Sequence, residues 1–384
     1  MIRVVISGGG TGGHIYPGIA IARALLQLRS DVRILFIGGK GQRESVIVPE
    51  SGFDFVPIFV AGFPRSLSLM RWSKALLKVS MGFVKSLIVL REFKPHVVIG
   101  TGGYVCGPVL LGAVVLHIPI VIQEQNAMPG ITSRILGRWA DVVHVPFQAA
   151  AGFFPYKRAR ITGNPIRPEI ASAHDSRGKL GLKTDRLTIS FLGGSQGAKS
   201  INSAVLEALK LLTKFAPSLQ IIHQTGELDF PTVREAYDKL PFLAIVQPYF
   251  YTIEDVYAAT DLVVCRAGGM TLAEITARGL PAVLIPYPYA AGDHQTFNAR
   301  VLEENGGAVM IRNDQLTGGR LAEVIISLIE DRKKLSDMAM RSGSSGKPDA
   351  AREIAESVIS LAQALEKLEQ RVLQAFGKSL SKGY

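Results

Sequence analysis

"VVISGGGTGGH", Val4–His14, and "TISFLGGSQGAK", Thr188–Lys199, share one plan. Each is an apolar run, a Gly-Gly-Thr/Ser turn and the start of a helical pattern. A chain of 384 residues that carries this plan twice reads as two similar α/β domains, each opening on a glycine-rich strand-to-helix turn.

The flanking sequence extends the pattern. In the first half, short β-branched runs stand at Arg3–Ser7, Arg33–Ile37, His96–Gly100, Pro119–Ile122 and Val142–Val145. In the second they stand at Leu187–Leu192, Gln220–Gln224, Leu262–Cys265 and Ala282–Ile285. These runs are continuously apolar rather than alternating, as in parallel strands covered on both faces. Helical patterns at Tyr16–Leu28, Ala198–Lys214 and Met270–Arg278 lie between them, so the expected fold is α/β, with two doubly wound parallel sheets. The break falls in "TGNPIRPE", Thr162–Glu169, which carries two prolines and a glycine. That places a first domain at 1–163 and a second at 164–349. The mixed-charge segment Ala350–Val372 reads as one long helix, with 350–364 packing back on the first domain and 365–384 forming an extension without an assigned role.

A glycine-rich turn lets backbone N–H groups approach an anion, and the helix behind it adds roughly half a positive charge. Gly8, Gly10 and Gly13 satisfy G-x-G-x-x-G, but a nicotinamide site also needs an acid at the end of the next strand. Here "RILFIGGK" ends in Gly38 and Gly39, and Asp31 precedes the strand, which argues against a dehydrogenase. His14 has two readings: a polar residue closing a helix start, or a general base, since a helix N-terminus favours the neutral imidazole. The second turn, Gly193–Gly197, lacks the Lys-Ser/Thr ending of a P-loop, while its Ser195 hydroxyl suits a phosphate. In "CRAGGMTLAE", Cys265–Glu274, another turn leads into a helix. Glu274 is either a surface acid or the acceptor of a ribose diol, with Gly268–Met270 N–H groups facing a diphosphate. "QEQNAMPG", Gln123–Gly130, and "AAGDHQTFNA", Ala290–Ala299, follow buried strands, where α/β proteins place ligands. Their amides suit sugar hydroxyls because they both donate and accept.

Cys106 and Cys265 are far apart and without metal spacing, which fits a reducing compartment. No Asp-x-Asp and no metal-spaced cluster occurs, so no tightly bound metal or other cofactor is expected. Ile2–Ile6 is too short for a signal sequence. Gly107, Pro108, Gly112, His117 and Pro119 break the uncharged run Val105–Ile122, which reads as a buried helix plus a strand rather than a span. The net charge is +11, and residues 1–164 hold all of it, with 18 Lys and Arg against 7 Asp and Glu. Such a one-sided field points to a polyanionic partner.

Within it lies "FPRSLSLMRWSKALLKVSMGFVKSLIVLREFKP", Phe63–Pro95. Arg71, Lys74, Lys78 and Lys85 fall on one helical stripe among long aliphatic and aromatic residues. One reading is a core helix with a solvated cationic face. The other is docking on an anionic membrane surface through Leu69, Trp72, Lys74, Lys78, Phe83 and Lys85. Nucleic acid is disfavoured, because aromatics spaced for base stacking are missing.

Taken in order, "GGGTGGHIYPG", "GTGGYVCGP", "QEQNAMPG", "GNPIR", "GGSQGAKSIN", "CRAGGMTLAE" and "GDHQTFNA" resemble the successive signatures of the MurG family of bacterial N-acetylglucosaminyltransferases. The resemblance runs from about Ile2 to about Ala364. It implies a GT-B fold, two Rossmann-like domains facing across a cleft. It implies UDP-N-acetylglucosamine as donor and lipid I, undecaprenyl-diphosphate-linked N-acetylmuramyl pentapeptide, as acceptor. The product is lipid II for peptidoglycan, made with inversion at the anomeric carbon on the cytoplasmic face of the plasma (inner) membrane, by a peripheral protein. Carried onto this chain, Thr11, Gly12 and Gly13 line the donor sugar, and Asn126 and Gln295, with His294 beside it, hold its hydroxyls. Arg167 and Ser195 contact the diphosphate, Phe250 cups the uracil, and Gly269, Met270, Thr271, Leu272, Ala273 and Glu274 receive diphosphate and ribose. Gln123 departs from the family, many members of which have His there. The expected base is His14, with Glu124 in reserve. Two alternatives remain at this stage: a GT-B enzyme with another lipid or small acceptor, and a UDP-sugar epimerase-like protein.

Overall fold

The computed structural model describes residues 1–60, 62, 69–194 and 196–380; of residues 69, 71, 72 and 368–380 the backbone alone is described. The chain forms two compact units. The first comprises Met1–Gln125, Pro129–Pro165 and Asp349–Tyr384, and the second Asn126–Met128 and Ile166–Pro348.

Among the described residues, seven strands build the first unit: β1 (Ile2–Ser7), β2 (Val32–Gly39), β3 (Asp54–Ile58), β4 (Val97–Gly100), β5 (Ile120–Gln123), β6 (Val142–Val145) and β7 (Ala159–Ile161). They form one parallel sheet in the order β3-β2-β1-β4-β5-β6-β7. Successive residues of β1 feed opposite cores. Val4 and Ile6 pack with Ile21, Leu25 and Phe36 on one face. Val5 packs with Val98, Leu110 and Val143 on the other. That two-sided burial is why these strands lack polar alternation. The C-terminal helix Ala350–Leu380 lies against helix Gly12–Leu28, and Ile354, Ala355, Val358 and Ala362 join the core there.

The second unit has β8 (Leu187–Leu192), β9 (Leu219–Gln224), β10 (Leu243–Gln247), β11 (Leu262–Cys265), β12 (Ala282–Leu284) and β13 (Ala308–Met310). Its sheet is parallel, in the order β10-β9-β8-β11-β12-β13. Ile189, Phe191, Val205, Leu209, Ile221, Val264 and Ile325 are central to its core.

The two parallel-sheet α/β domains agree with the expected fold class. The run Val105–Ile122 is a helix, Cys106–Val115, followed by β5. Several helix boundaries differ from the sequence reading: the C-terminal helix continues past Val372 to Leu380, and the pattern Met270–Arg278 is helix Gly269–Ala277. The first helix starts at Gly12 rather than Tyr16, because the tertiary structure supplies what the glycines' poor propensity does not. The pattern Ala198–Lys214 divides into helix Lys199–Leu211 and a separate 3-10 turn, Thr213–Phe215. Among the described residues no helix is long and apolar enough to cross a membrane. Cys106 and Cys265 are buried and unpaired, and burial pushes both thiols up to about 12.

Candidate functional site

In the first unit, loop 8–11 leaves the carboxyl end of β1 and enters helix Gly12–Leu28. Its glycines are required by close approach. A Cβ on Gly8 would collide with the Thr101 hydroxyl, and one on Gly9 with the Glu44 carboxyl. Gly10 also has a φ of +83°, a left-handed conformation. The expected anion cradle is filled in part from within. Fully buried Glu44 accepts the Gly10 N–H at 3.0 Å and the Gly39 N–H at 2.9 Å. Glu44 stands five residues beyond Gly39, outside the strand end where a ribose-binding acid is expected.

His14 lies in the first turn of the helix and is half-buried. Its carbonyl accepts the Thr101 hydroxyl at 2.7 Å, and its Nδ1 meets Gln125 Oε1 at 3.0 Å. Thr11, Gly12 and Gly13 occupy the same turn, with Thr11 exposed at the N-cap position. Glu124 is placed differently. It is buried, and its two oxygens accept the N–H groups of Gln125 at 3.0 Å and Gly130 at 3.1 Å. That arrangement braces the 124–130 loop. Gln123, Gln125 and Asn164 lie beneath His14 as a buried amide cluster. Gln125 and Asn164 were not singled out in the sequence, although both lie inside quoted motifs.

In the second unit, helix Gly269–Ala277 starts directly after the β11 turn. Its first intrahelical bond runs from Leu272 N–H to the Gly268 carbonyl at 2.9 Å, so the N–H groups of Met270 and Thr271 have no acceptor within the helix. Glu274 lies one turn further and only partly exposed, with Ala273 beside it and Leu272 buried. Burial, and secondarily the Glu254 charge, push its carboxyl up to about 7, against the lowering pull of the Tyr257 hydroxyl at 2.9 Å and of Arg167. Arg167 sits 3.4 Å from Glu254. In the turn between β11 and this helix, Arg266 donates to the carbonyls of Ile285 and Pro286 at 3.2 and 3.1 Å, to Asn313 Oδ1 at 2.8 Å and to Ser200 Oγ at 2.9 Å. These acceptors are neutral, so a half-buried cation stands beside the N-terminus of helix Lys199–Leu211. No motif rule selects it.

The polar loops are held by further amides. Asn298, fully buried, accepts the Ala127 N–H at 2.7 Å and donates to Asn126 Oδ1 at 3.1 Å and to the Ala267 carbonyl at 3.0 Å. Gln295 Oε1 accepts the Tyr287 N–H at 2.9 Å, and His294 Nδ1 donates to the Ala291 carbonyl at 2.9 Å. Phe250 is buried, and its N–H donates to Gln224 Oε1 at 3.0 Å. Ser195 lies outside the described residues. Among the described residues no group of three or more His, Cys, Asp or Glu side chains is placed to hold a metal ion.

Helix Leu69–Phe93 presents the apolar cationic surface. Ala75, Ser86 and Leu90 are buried, whereas Met70, Leu76, Leu77, Met81, Val84 and Ile88 are exposed, Leu76 and Leu77 each by 62%. Lys74, Lys78 and Lys85 are exposed among them, and Phe83 is half-buried. The side chains of Leu69, Arg71 and Trp72 are outside the described residues.

Residues 4–145 match the N-terminal domain of glycosyltransferase family 28, and residues 188–354 match its C-terminal domain. The UDP-N-acetylglucosamine--N-acetylmuramyl-(pentapeptide) pyrophosphoryl-undecaprenol N-acetylglucosamine transferase of Desulforamulus reducens is 44% identical over 368 residues, covering 93% of this chain and 98% of that protein. Its namesake in Halothermothrix orenii is 45% identical over 358 residues, covering 90% and 95%. The crystal structure of Acinetobacter baumannii MurG superposes with a TM-score of 0.79 at 29% identity, covering 94% of this chain and all of that one. The UDP-GlcNAc 2-epimerase of Neisseria meningitidis reaches 0.65 at 14% identity over 94% of this chain and 100% of that one, a likeness of fold alone.

Proposed function

The chain belongs to the MurG family within glycosyltransferase family 28, and from that premise we propose how its residues divide the reaction. The protein is an N-acetylglucosaminyltransferase. It moves N-acetylglucosamine from UDP-N-acetylglucosamine to N-acetylmuramyl-(pentapeptide) pyrophosphoryl-undecaprenol, making the lipid II intermediate of peptidoglycan.

In the proposed step, His14 takes the proton from the C4 hydroxyl of the muramyl sugar. The oxygen attacks C1 of the donor sugar, the C1–O bond to UDP breaks with its electron pair, and the configuration inverts. The observation that carries this assignment is the contrast between two candidates. His14 is half-buried at the carboxyl end of the sheet and held through its carbonyl and Nδ1. Glu124 is buried with both oxygens on backbone donors. A base must reach the proton it takes, and the half-buried ring is better placed to do so. Thr11, Gly12 and Gly13 offer backbone to a sugar beside it.

On the donor side, Gly269, Met270 and Thr271 receive the diphosphate at a helix N-terminus, with Arg167 and Ser195 as further donors. Glu274 accepts the ribose diol, Asn126, Gln295 and His294 read the sugar, and Phe250 packs on the uracil. Charge growing on the leaving diphosphate is met by these donors and by the nearby Arg266, so the reading requires no metal and no other cofactor. Lys74, Lys78, Lys85 and Phe83, with Leu69 and Trp72, dock the protein peripherally on the anionic cytoplasmic face of the plasma membrane. In domain terms, 1–163 with the helix 350–364 serves acceptor and membrane, and 164–349 serves the donor.

The test is transfer of labelled N-acetylglucosamine to a lipid I analogue, with and without chelator. UDP release should depend strictly on the acceptor and survive chelation. His14→Ala should lower kcat by about 10²–10⁴-fold with little change in donor affinity. An unchanged kcat removes His14 as base.

A further inference from the structure

His14 and the three side chains beneath it form a chain of hydrogen bonds with a single consistent direction. Its far end is Asn164, whose Nδ2 donates to the backbone carbonyl of Gln125 at 2.9 Å. A carbonyl only accepts, so the orientation of Asn164 is set and its Oδ1 faces Gln123. Gln123 must then present its amino group, and its Nε2 donates to Asn164 Oδ1 at 2.8 Å and to the Glu124 carbonyl at 3.1 Å. Its Oε1 therefore faces Gln125. The Gln125 Nε2 contacts that oxygen, the Thr101 carbonyl at 2.6 Å and the Gln123 carbonyl at 3.2 Å. Reversing the Gln125 amide would set an oxygen against three acceptors. Its Oε1 must face His14 Nδ1, at 3.0 Å. Gln123 is fully buried, and Gln125 and Asn164 are 3% and 2% exposed, so water does not rescue a reversed amide.

We infer that Gln125, held in register by Gln123 and Asn164, is a positioning residue that keeps the proton of neutral His14 on Nδ1 and its lone pair on Nε2. An acceptor opposite Nδ1 admits only the Nδ1–H tautomer. The inference rests on the reading of His14 as the base, and it names the nitrogen that takes the acceptor's proton. Two neighbours support the geometry. The Thr101 hydroxyl fixes the His14 carbonyl at 2.7 Å, and Gly102 has no side chain to intrude where a Cβ would stand 2.6 Å from Nδ1. The titratable groups on the surrounding segments are Glu44, Tyr104 and Glu124. The two carboxylates are bound to backbone N–H groups of Gly10 and Gly39, and of Gln125 and Gly130. The polar run "QEQN" thereby acquires a division of labour, with Gln123 and Gln125 beneath the base and Glu124 bracing the loop.

The experiment is long-range ¹H–¹⁵N correlation on the full chain labelled at the histidine ring nitrogens, with His14 assigned by its loss in His14→Ala. Wild type should show a protonated Nδ1 and a pyridine-like Nε2 at neutral pH. Gln125→Met, similar in length and unable to accept, should mix the tautomers and lower kcat at least about tenfold with donor KM little changed. Gln125→Glu keeps an oxygen facing Nδ1 and sets its other oxygen against Gln123 Oε1 and the carbonyls of Thr101 and Gln123, so the buried carboxyl must stay protonated and donate there. It should retain the Nδ1–H signal and recover most of the kcat lost in Gln125→Met, a rescue that follows the acceptor facing Nδ1 and that a purely structural role would not produce. A wild-type His14 protonated on Nε2, or a Gln125→Met protein with the wild-type tautomer and kcat, overturns the inference. If the tautomers behave as stated while His14→Ala keeps its kcat, the relay stands and the base assignment falls.

Discussion

Substituting Gly102 by Ala tests whether the position of the His14 ring matters, and a matched control exists within the same unit. Gly102 has a φ of +98° and Gly52 a φ of +87°, so both leave the region where a Cβ is comfortable. Alanine at either position costs about 1–2 kcal/mol in backbone strain. The surroundings differ. Around Gly52 a Cβ meets nothing within 4 Å, whereas at Gly102 it stands 2.6 Å from His14 Nδ1 and 3.1 Å from Gln125 Oε1. To restore an ordinary 3.4 Å contact the ring must retreat by about 0.8 Å. A displacement of that size can open the 3.0 Å bond to Gln125 beyond hydrogen-bond range. A misplacement near 1 Å in a reacting group costs about a hundredfold in rate. Leaving the buried Gln125 oxygen unpaired adds about 1–3 kcal/mol to the stability loss. The expected outcome is that Gly102→Ala lowers kcat about a hundredfold with donor KM within about twofold, while Gly52→Ala keeps its kcat. The assay is acceptor-dependent UDP release at saturating donor, with thermal melts to show that both variants are folded. If the two variants turn over within about threefold of each other, placement of His14 by this contact does not govern the rate.

Two further outcomes follow from the site. The Glu274 carboxyl is raised to about 7, mainly by burial, with Arg167, Glu254, Tyr257 and Cys265 as its ionisable neighbours. A ribose diol donates to the ionised form, so donor KM should fall as pH rises through about 7, with proton release on binding, and Glu274→Gln should flatten that profile. The stability sign is opposite: the raised value favours the folded protein at low pH, and the contribution is lost as pH climbs from the unfolded carboxyl range to about 7. A calorimetric donor titration in buffers of different ionisation enthalpy checks the proton release, and pH-independent donor binding would refute the assignment. Removing the charges of Lys74, Lys78 and Lys85 together should weaken sedimentation with anionic vesicles by about 1 kcal/mol per cation at low salt, and wild-type binding by the triple variant would refute docking through this face.

The sheet interiors were legible in the sequence and the sheet edges were not. All nine strands named from continuous apolar runs are interior strands of the two sheets. The four not named, β3, β7, β10 and β13, are the four edges. Asp54–Ile58 contains a proline, Ala159–Ile161 and Ala308–Met310 are three residues each, and Leu243–Gln247 is only partly buried. An edge strand has one neighbour and a wet side, so its composition need not be apolar throughout, and the period rules lose their signal.

At the candidate site, local sequence singled out the loops with bare backbone, because glycine turns between strands and helices can be read wherever they occur. It could not determine what approaches that backbone. The Glu44 carboxylate against Gly10 and Gly39 and the Thr101 hydroxyl against the His14 carbonyl join residues 34, 5 and 87 positions apart. The amide of Gln125 meets His14 across 111 positions. Identity and two-domain architecture were thus written along the chain as ordered motifs, each readable within about ten residues. The protonated nitrogen of His14 depends on which acceptor faces it, and burial forces every amide beneath it into one orientation. Only folding brings those groups within hydrogen-bond distance.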